Sequence, residues 1–206
     1  MIFHESIRDL KYFTEPRFQN WVSEEFKFMK KYVFDNTDVL DVGSETGRIG
    51  FMLLDILGFR LKSLCLTDYT DQLVKKVNNF IKEKRSEIKV ELRDVTNLDY
   101  KDSAFKTVLC LGGVLNVLYS ENYGGKPDHN DKSEDENFYA AVNELLRVLS
   151  PDGYFIFEVE KQYLEKIELI VDSFKNLEII EYSDIDCKGP PYVLCCIKKS
   201  HLDNEK

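Results

Sequence analysis

The sequence has no apolar run approaching the ~20 residues that span a bilayer. Its opening residues, MIFHESIRDL, lack the basic, apolar and small-residue regions of a signal peptide. A cytoplasmic location and no membrane partner are therefore expected. The five cysteines, Cys65, Cys110, Cys187, Cys195 and Cys196, form no CxxC pair, which leaves zinc-ribbon and redox-motif chemistry without footing. Cys65, Cys110 and Cys195 lie in apolar strand-like runs and read as reduced core thiols, while the adjacent Cys195 and Cys196 should point to opposite faces of a strand. Gly43, Gly47 and Gly50 miss the Gly-x-Gly-x-x-Gly spacing of a dinucleotide-binding oxidoreductase. An excess of positive charge is also missing: 28 Lys and Arg against 37 Asp and Glu leave a net charge of −9. Phosphate contacts need clustered cations, so a nucleic-acid partner is not expected.

What remains is an ordinary globular composition, 43% hydrophobic and 32% charged, in a length that suits one domain. That domain divides into an N-terminal helical extension over residues 1–34, a core over 35–199 and a tail over 200–206. Within the extension, Phe18, Trp21, Val22, Phe26 and Met29 recur at spacings of three and four, which predicts an amphipathic helix over Arg17–Tyr32. The basic residues Lys75, Lys76, Lys82, Lys84 and Arg85 share one helical segment and read as a solvated face, with a binding patch as the alternative.

The core repeats one unit. A strand over Asp38–Val42 runs into a glycine turn and a helix with Ile49, Met52, Leu53, Ile56 and Leu57 on one face. A second strand, Ser63–Asp68, leads to a helix with Leu73, Val74, Val77, Phe80 and Ile81. Further strands are predicted over Ile88–Leu92, Thr107–Gly113 and Tyr154–Val159, the last preceded by a helix with Ala141, Val142, Leu145, Leu146 and Leu149 inward. Strands alternating with helices require parallel pairing and crossover connections. After a helix around Leu164–Phe174, Leu177–Tyr182 and Tyr192–Lys199 follow each other with no helix between, as antiparallel strands do. The expected fold is α/β: a seven-stranded, mostly parallel, doubly wound sheet with a C-terminal antiparallel β-hairpin and helices on both faces.

On these residues the sequence resembles the class I S-adenosylmethionine-dependent methyltransferases. VLDVGSETG (Val39–Gly47) is similar to that family's first motif, and LRVLSPDGYFIFEV (Leu146–Val159) to its helix, turn and fifth strand. The resemblance covers roughly residues 35 to 199 and implies S-adenosylmethionine as cofactor. Glycines 43 and 47 would let the backbone approach the ligand, with Gly47 opening a helix whose positive end receives a carboxylate. The resemblance gives Asp41 the methionine ammonium, Asp68 the ribose hydroxyls, Tyr69 a place against the adenine, and Asp94 the adenine amino group with Val95 beside it. Leu111 and Gly112 would floor the site beneath the sulfonium. Bland alternatives stand beside these roles: plain turns at Gly43, Gly47, Leu111 and Gly112, a helix cap at Asp68, and a solvated loop aspartate at Asp94.

The resemblance has one departure. Glu45 occupies the position of the motif's second glycine, and a carboxylate some 6 Å from the cofactor's own would repel it by about 3 kcal/mol at an effective dielectric near 20. Glu45 is therefore expected to point away from the pocket. GPPY (Gly189–Tyr192) resembles the Asn/Asp-Pro-Pro-Tyr signature of amino-methylating enzymes but follows strand six instead of strand four, and Asn116 is the polar residue nearest the expected place. His129 reads as a general base, a metal ligand or a solvated loop residue, and Tyr119–Asp135 as a lid or as plain surface. The expected function is methyl transfer from S-adenosylmethionine to an O, N or S atom of a small molecule, with no catalytic base assigned. The alternative is a non-catalytic methyltransferase-like binding partner whose cofactor site Glu45 has weakened.

Overall fold

The computed structural model describes residues 16–55, 57–71, 74–75, 77–78, 88–112, 114–117, 133–185 and 191–201. The rest of the second crossover helix, the segment carrying His129, and Gly189 and Pro190 of the hairpin loop lie outside them.

Helix α1 (Pro16–Tyr32) precedes β1 (Asp38–Val42), α2 (Arg48–Asp55), β2 (Ser63–Asp68), β3 (Ile88–Leu92) and β4 (Phe105–Cys110). The short α3 (Val114–Val117), then α4 (Glu134–Val148), β5 (Leu149–Glu160), α5 (Leu164–Asp172), β6 (Leu177–Ile185) and β7 (Tyr192–Lys199) complete the order. The seven strands form one sheet in the order β3-β2-β1-β4-β5-β7-β6. The first five are parallel, and β7 runs antiparallel to both β5 and β6. The hairpin thus folds back so that its second strand, not its first, joins the sheet. Burial explains the choice: Val193–Ile197 of β7 are all buried, whereas β6 is largely accessible and suits an edge.

Alternating side chains split the core into two layers. Leu40, Val42, Val108, Cys110, Phe155 and Phe157 face α4 and α5, while Val39, Leu64, Leu66, Leu109, Leu111 and Ile156 face α1 and α2. Cys195 and Cys196 divide between the same layers. All four described cysteines are free and buried, and burial pushes the Cys65 thiol up to about 11 and the Cys195 thiol up to about 12. Helix α4 begins with a capping box: Ser133 Oγ accepts from Glu136 N–H, and the Glu136 carboxylate accepts from Ser133 N–H.

Strand boundaries differ from the sequence reading in β4, β5 and β6, the last running on to Ile185 instead of ending at Tyr182. Strand β5 begins at Leu149, not Tyr154, because Leu149 pairs with Phe105 and the pairing resumes at Thr107–Tyr154 after a bulge. Asp152 takes φ +56° within that bulge, so Ser-Pro-Asp-Gly is an irregularity inside a strand and not a turn before one. Strand β4 stops at Cys110, and the backbone turns at Gly112 with φ +78°.

Candidate functional site

The carboxyl ends of β1, β2 and β4 open into a cavity of about 310 Å³ lined by Val42, Gly43, Glu45, Asp68, Tyr69, Thr70, Arg93, Val95, Gly112 and Val114. Parallel strands put all their carboxyl ends at one edge, where the order reverses between β1 and β4, and ligands of open α/β sheets bind at such a point.

At the turn after β1, Gly43 has φ +68°, and a Cβ built there would lie 2.2 Å from Val114 Cγ2. No side chain fits, and the bare backbone forms part of the wall. The turn is held to β2 by Ser44 N–H, which donates to Thr67 O at 2.9 Å. Glu45 N–H donates to Asp68 Oδ2 at 3.1 Å, and Thr70 N–H donates to Asp68 Oδ1 at 2.9 Å. Both Asp68 oxygens therefore brace backbone, so the capping geometry is present. Each oxygen keeps a second lone pair for a hydroxyl donor.

Of the residues singled out from sequence, Gly43, Asp68, Tyr69, Val95 and Gly112 meet at the cavity. Asp41, Gly47, Asp94 and Leu111 do not line it. Asp94 turns back on its own loop, its Oδ1 accepting from Thr96 N–H and Thr96 Oγ1, both at 2.9 Å. Arg93 and Val95 form that wall instead. Leu111 is packed into the α1/α2 layer. Gly47 donates to Ser44 O at 2.7 Å and accepts from Phe51 N–H.

Asp41 lies buried behind the wall, 1% exposed, and its Oδ2 has no hydrogen-bond partner among the described residues. Burial pushes its carboxyl up to about 7, against the pull of Arg48 and the Gly50 N–H.

Glu45 is exposed and belongs to the cavity lining. With φ +49° it occupies the left-handed region, and its N–H donates to Asp68.

Sequence reading missed a buried charged cluster behind the site. Arg48, in the first turn of α2, donates to both carboxylate oxygens of Glu25 on α1, at 2.9 Å to Oε1. Glu158 of β5 is fully buried, and its Oε2 accepts from Trp21 Nε1 at 2.6 Å. The signals were available: Glu25 sits four residues after Trp21 and four before Met29, on the apolar stripe, and Glu158 interrupts an apolar strand.

A core in this strand order, with a glycine turn after β1 and an acidic residue ending β2, defines the class I, S-adenosylmethionine-dependent methyltransferase fold. The chain belongs to the methyltransferase domain family, whose model matches residues 34–201. It is 34% identical over 159 residues to the tRNA U34 carboxymethyltransferase of Nautilia profundicola, spanning 74% of this chain but only 43% of that relative. Among solved structures, the N-methyltransferase NodS from Bradyrhizobium japonicum matches 91% of this chain and 99% of its own with a TM-score of 0.66 at 12% identity. NodS in complex with S-adenosyl-L-homocysteine matches 97% of this chain and 99% of its own with a TM-score of 0.64 at 14% identity.

The relative named for tRNA overturns the expectation, drawn from a net charge of −9, that nucleic acid is not a partner. Net charge is summed over the whole surface and does not report the local charge that a partner meets. Among the described residues no helix is long and apolar enough to cross a membrane.

Proposed function

We propose that this chain transfers a methyl group from S-adenosylmethionine to a nucleophile seated over the ends of β4 and β5. The observation that carries the reading is the convergence of Gly43, Asp68, Tyr69, Val95 and Gly112 on one cavity, with the buried Asp41, whose Oδ2 has no hydrogen-bond partner among the described residues, behind it. The residues suit the cofactor part by part. Asp68 offers acceptor lone pairs to the ribose hydroxyls, Tyr69 and Val95 offer apolar surface to the adenine, and Asp41 offers its free Oδ2 to the methionine ammonium. A carboxylate at Asp94 has no part in this arrangement. The cofactor supplies a methyl group already activated by the sulfonium, so the protein's share is alignment and exclusion of water.

The curated relative favours a second reading of the acceptor, as a nucleotide within RNA. Incubation with S-adenosylmethionine labelled in its methyl group, against an RNA fraction and a low-mass extract separately, tests both. Label in the low-mass pool supports the small-molecule acceptor, and label in RNA supports the second reading. Cofactor binding with label in neither pool would overturn the catalytic reading and favour the non-catalytic binding partner.

A further inference from the structure

A second cavity, of about 480 Å³, opens at the amino edge of the parallel strands, where β4 and β5 begin and β7 ends. Leu146, Phe174 and Leu177 supply its apolar lining, and Asn143, Arg147 and Lys199 stand among them. Its volume suits a small organic ligand and exceeds that of the cofactor cavity. The two cavities share no lining residue. They lie at opposite edges of the sheet, roughly 20 Å apart along the run from Phe105 to Gly112.

The walls of this cavity are fixed by the chain itself. Helix α4 passes into β5 at Leu149 with no loop between, so the last carbonyls of the helix have no intrahelical donor. Lys199 reaches them from the end of β7, its Nζ donating to Leu146 O at 2.8 Å and to Leu149 O at 2.7 Å. On the other side the Asn176 carbonyl accepts from Ser200 N–H at 2.8 Å, and Asn176 Nδ2 donates to Ser200 O at 3.2 Å. The turn after α5 is thereby tied to β7. Leu146 is buried in the floor, whereas Phe174 stays 42% exposed and leaves apolar surface for a ligand to cover.

Charge selects the ligand. The acidic groups on this side, Glu144 and Asp102, are taken by Arg147. Its Nε and Nη2 donate to the Glu144 carboxylate at 2.7 and 2.8 Å, and its Nη1 donates to Asp102 Oδ1 at 2.7 Å. Lys199 makes no ion pair among the described residues: two of its three N–H bonds go to carbonyls, and the third has no acceptor there. Burial holds the ammonium below its ordinary range, against the pull of Asp102, and a carboxylate at the third N–H would relieve that cost.

We propose that this cavity is a second ligand site, binding a free monocarboxylate with its charged end on Lys199 and its apolar body over Leu146, Phe174 and Leu177. The inference stands apart from the methyltransferase reading. An alcohol of the same shape brings no charge to the ammonium, and an amine is repelled by it. Glu144 and Asp102 close by select against a second negative charge, so one carboxylate is favoured over a phosphate.

The probe is sodium hexanoate, titrated calorimetrically into the full chain beside n-hexanol. Hexanoate is expected to bind about tenfold or more tightly than hexanol, and to keep its affinity when saturating S-adenosylhomocysteine is present. Lys199→Met keeps the apolar stem, removes the charge and is expected to erase the preference. Phe174→Ala, at an exposed position, is expected to weaken both ligands by about threefold or more. No binding of hexanoate, equal binding of the two, a preference that survives Lys199→Met, or displacement by S-adenosylhomocysteine would overturn the proposal. Should Lys199→Met not fold because α4 loses its two carbonyl contacts, Phe174→Ala decides, and unchanged hexanoate affinity in that variant overturns the site.

Discussion

The Arg48 guanidinium and the Glu25 carboxylate join α2 to α1 directly behind the glycine turn, with Glu25 fully buried and the Arg48 side chain 16% exposed. The pair anchors the N-terminal helix to the element that opens the cofactor turn. Breaking it by removing one partner leaves an uncompensated buried charge, which costs about 3–5 kcal/mol. Glu25→Ala is therefore expected to lower the urea midpoint by an amount equivalent to several kcal/mol, whereas Lys27→Ala, which removes the exposed Lys27–Glu24 contact, is expected to change it by under about 1 kcal/mol. Equal effects of the two variants would mean that α1 is not fastened through Arg48.

Asp68→Ala removes an acceptor that braces Glu45 N–H and Thr70 N–H and faces the cavity. Loss of a hydrogen-bonded carboxylate predicts S-adenosylmethionine binding weaker by about 1–3 kcal/mol in calorimetry. The lost brace should also lower stability by ~1 kcal/mol, as deletion of a cap does. A stability loss with unchanged affinity would leave Asp68 as a cap alone.

Glu45→Gly addresses both features of the departing motif position. Glycine relieves a left-handed residue by about 1 kcal/mol and removes a negative charge from the rim. The expected outcome is a rise in thermal midpoint with S-adenosylmethionine binding up to about tenfold tighter. Weaker binding would show that the Glu45 carboxylate grips the ligand.

Stability should depend on pH through Asp41. Its folded carboxyl titrates at about 7 against 3.8 for the free side chain, so the folded chain holds the proton more tightly. That contribution is present below about pH 4 and is lost as pH rises toward 7. Asp38, Glu144 and Glu181, held below their ordinary values by Lys62 and Ser63, by Arg147, and by Lys31 and Tyr32, act in the opposite sense and lose their contribution as pH falls toward and below 4. Urea unfolding from pH 4.5 to 7.5 is expected to show stability declining with pH, and Asp41→Asn to flatten the slope. An unchanged slope in the variant would assign the decline to another group.

Much of the framework was legible because β1, β2 and β7 are apolar runs that end abruptly and β3 alternates apolar with charged residues. The runs Asp38–Val42, Ser63–Asp68, Ile88–Leu92 and Tyr192–Lys199 coincide with β1, β2, β3 and β7. The break at Ser150–Gly153 misled because a turn and a bulge share the same residues, and only the pairing of Leu149 with Phe105 distinguishes them. Asp94 misled in a similar way: its place after β3 is right, but a loop turn takes its Oδ1 and Arg93 and Val95 line the cavity instead.

By itself the sequence determined which segments are strands, that a glycine turn follows the first of them, and that Asp68 ends the second. These follow from local composition and from positions a few residues apart. Only the tertiary structure decided that β7 lies inside β6, that Glu45 has positive φ on the cavity rim, and that Trp21 meets Glu158 across 137 positions. Those outcomes depend on which surfaces bury one another, and a buried carboxyl acquires its charge state, partner and use from elements far away in the chain.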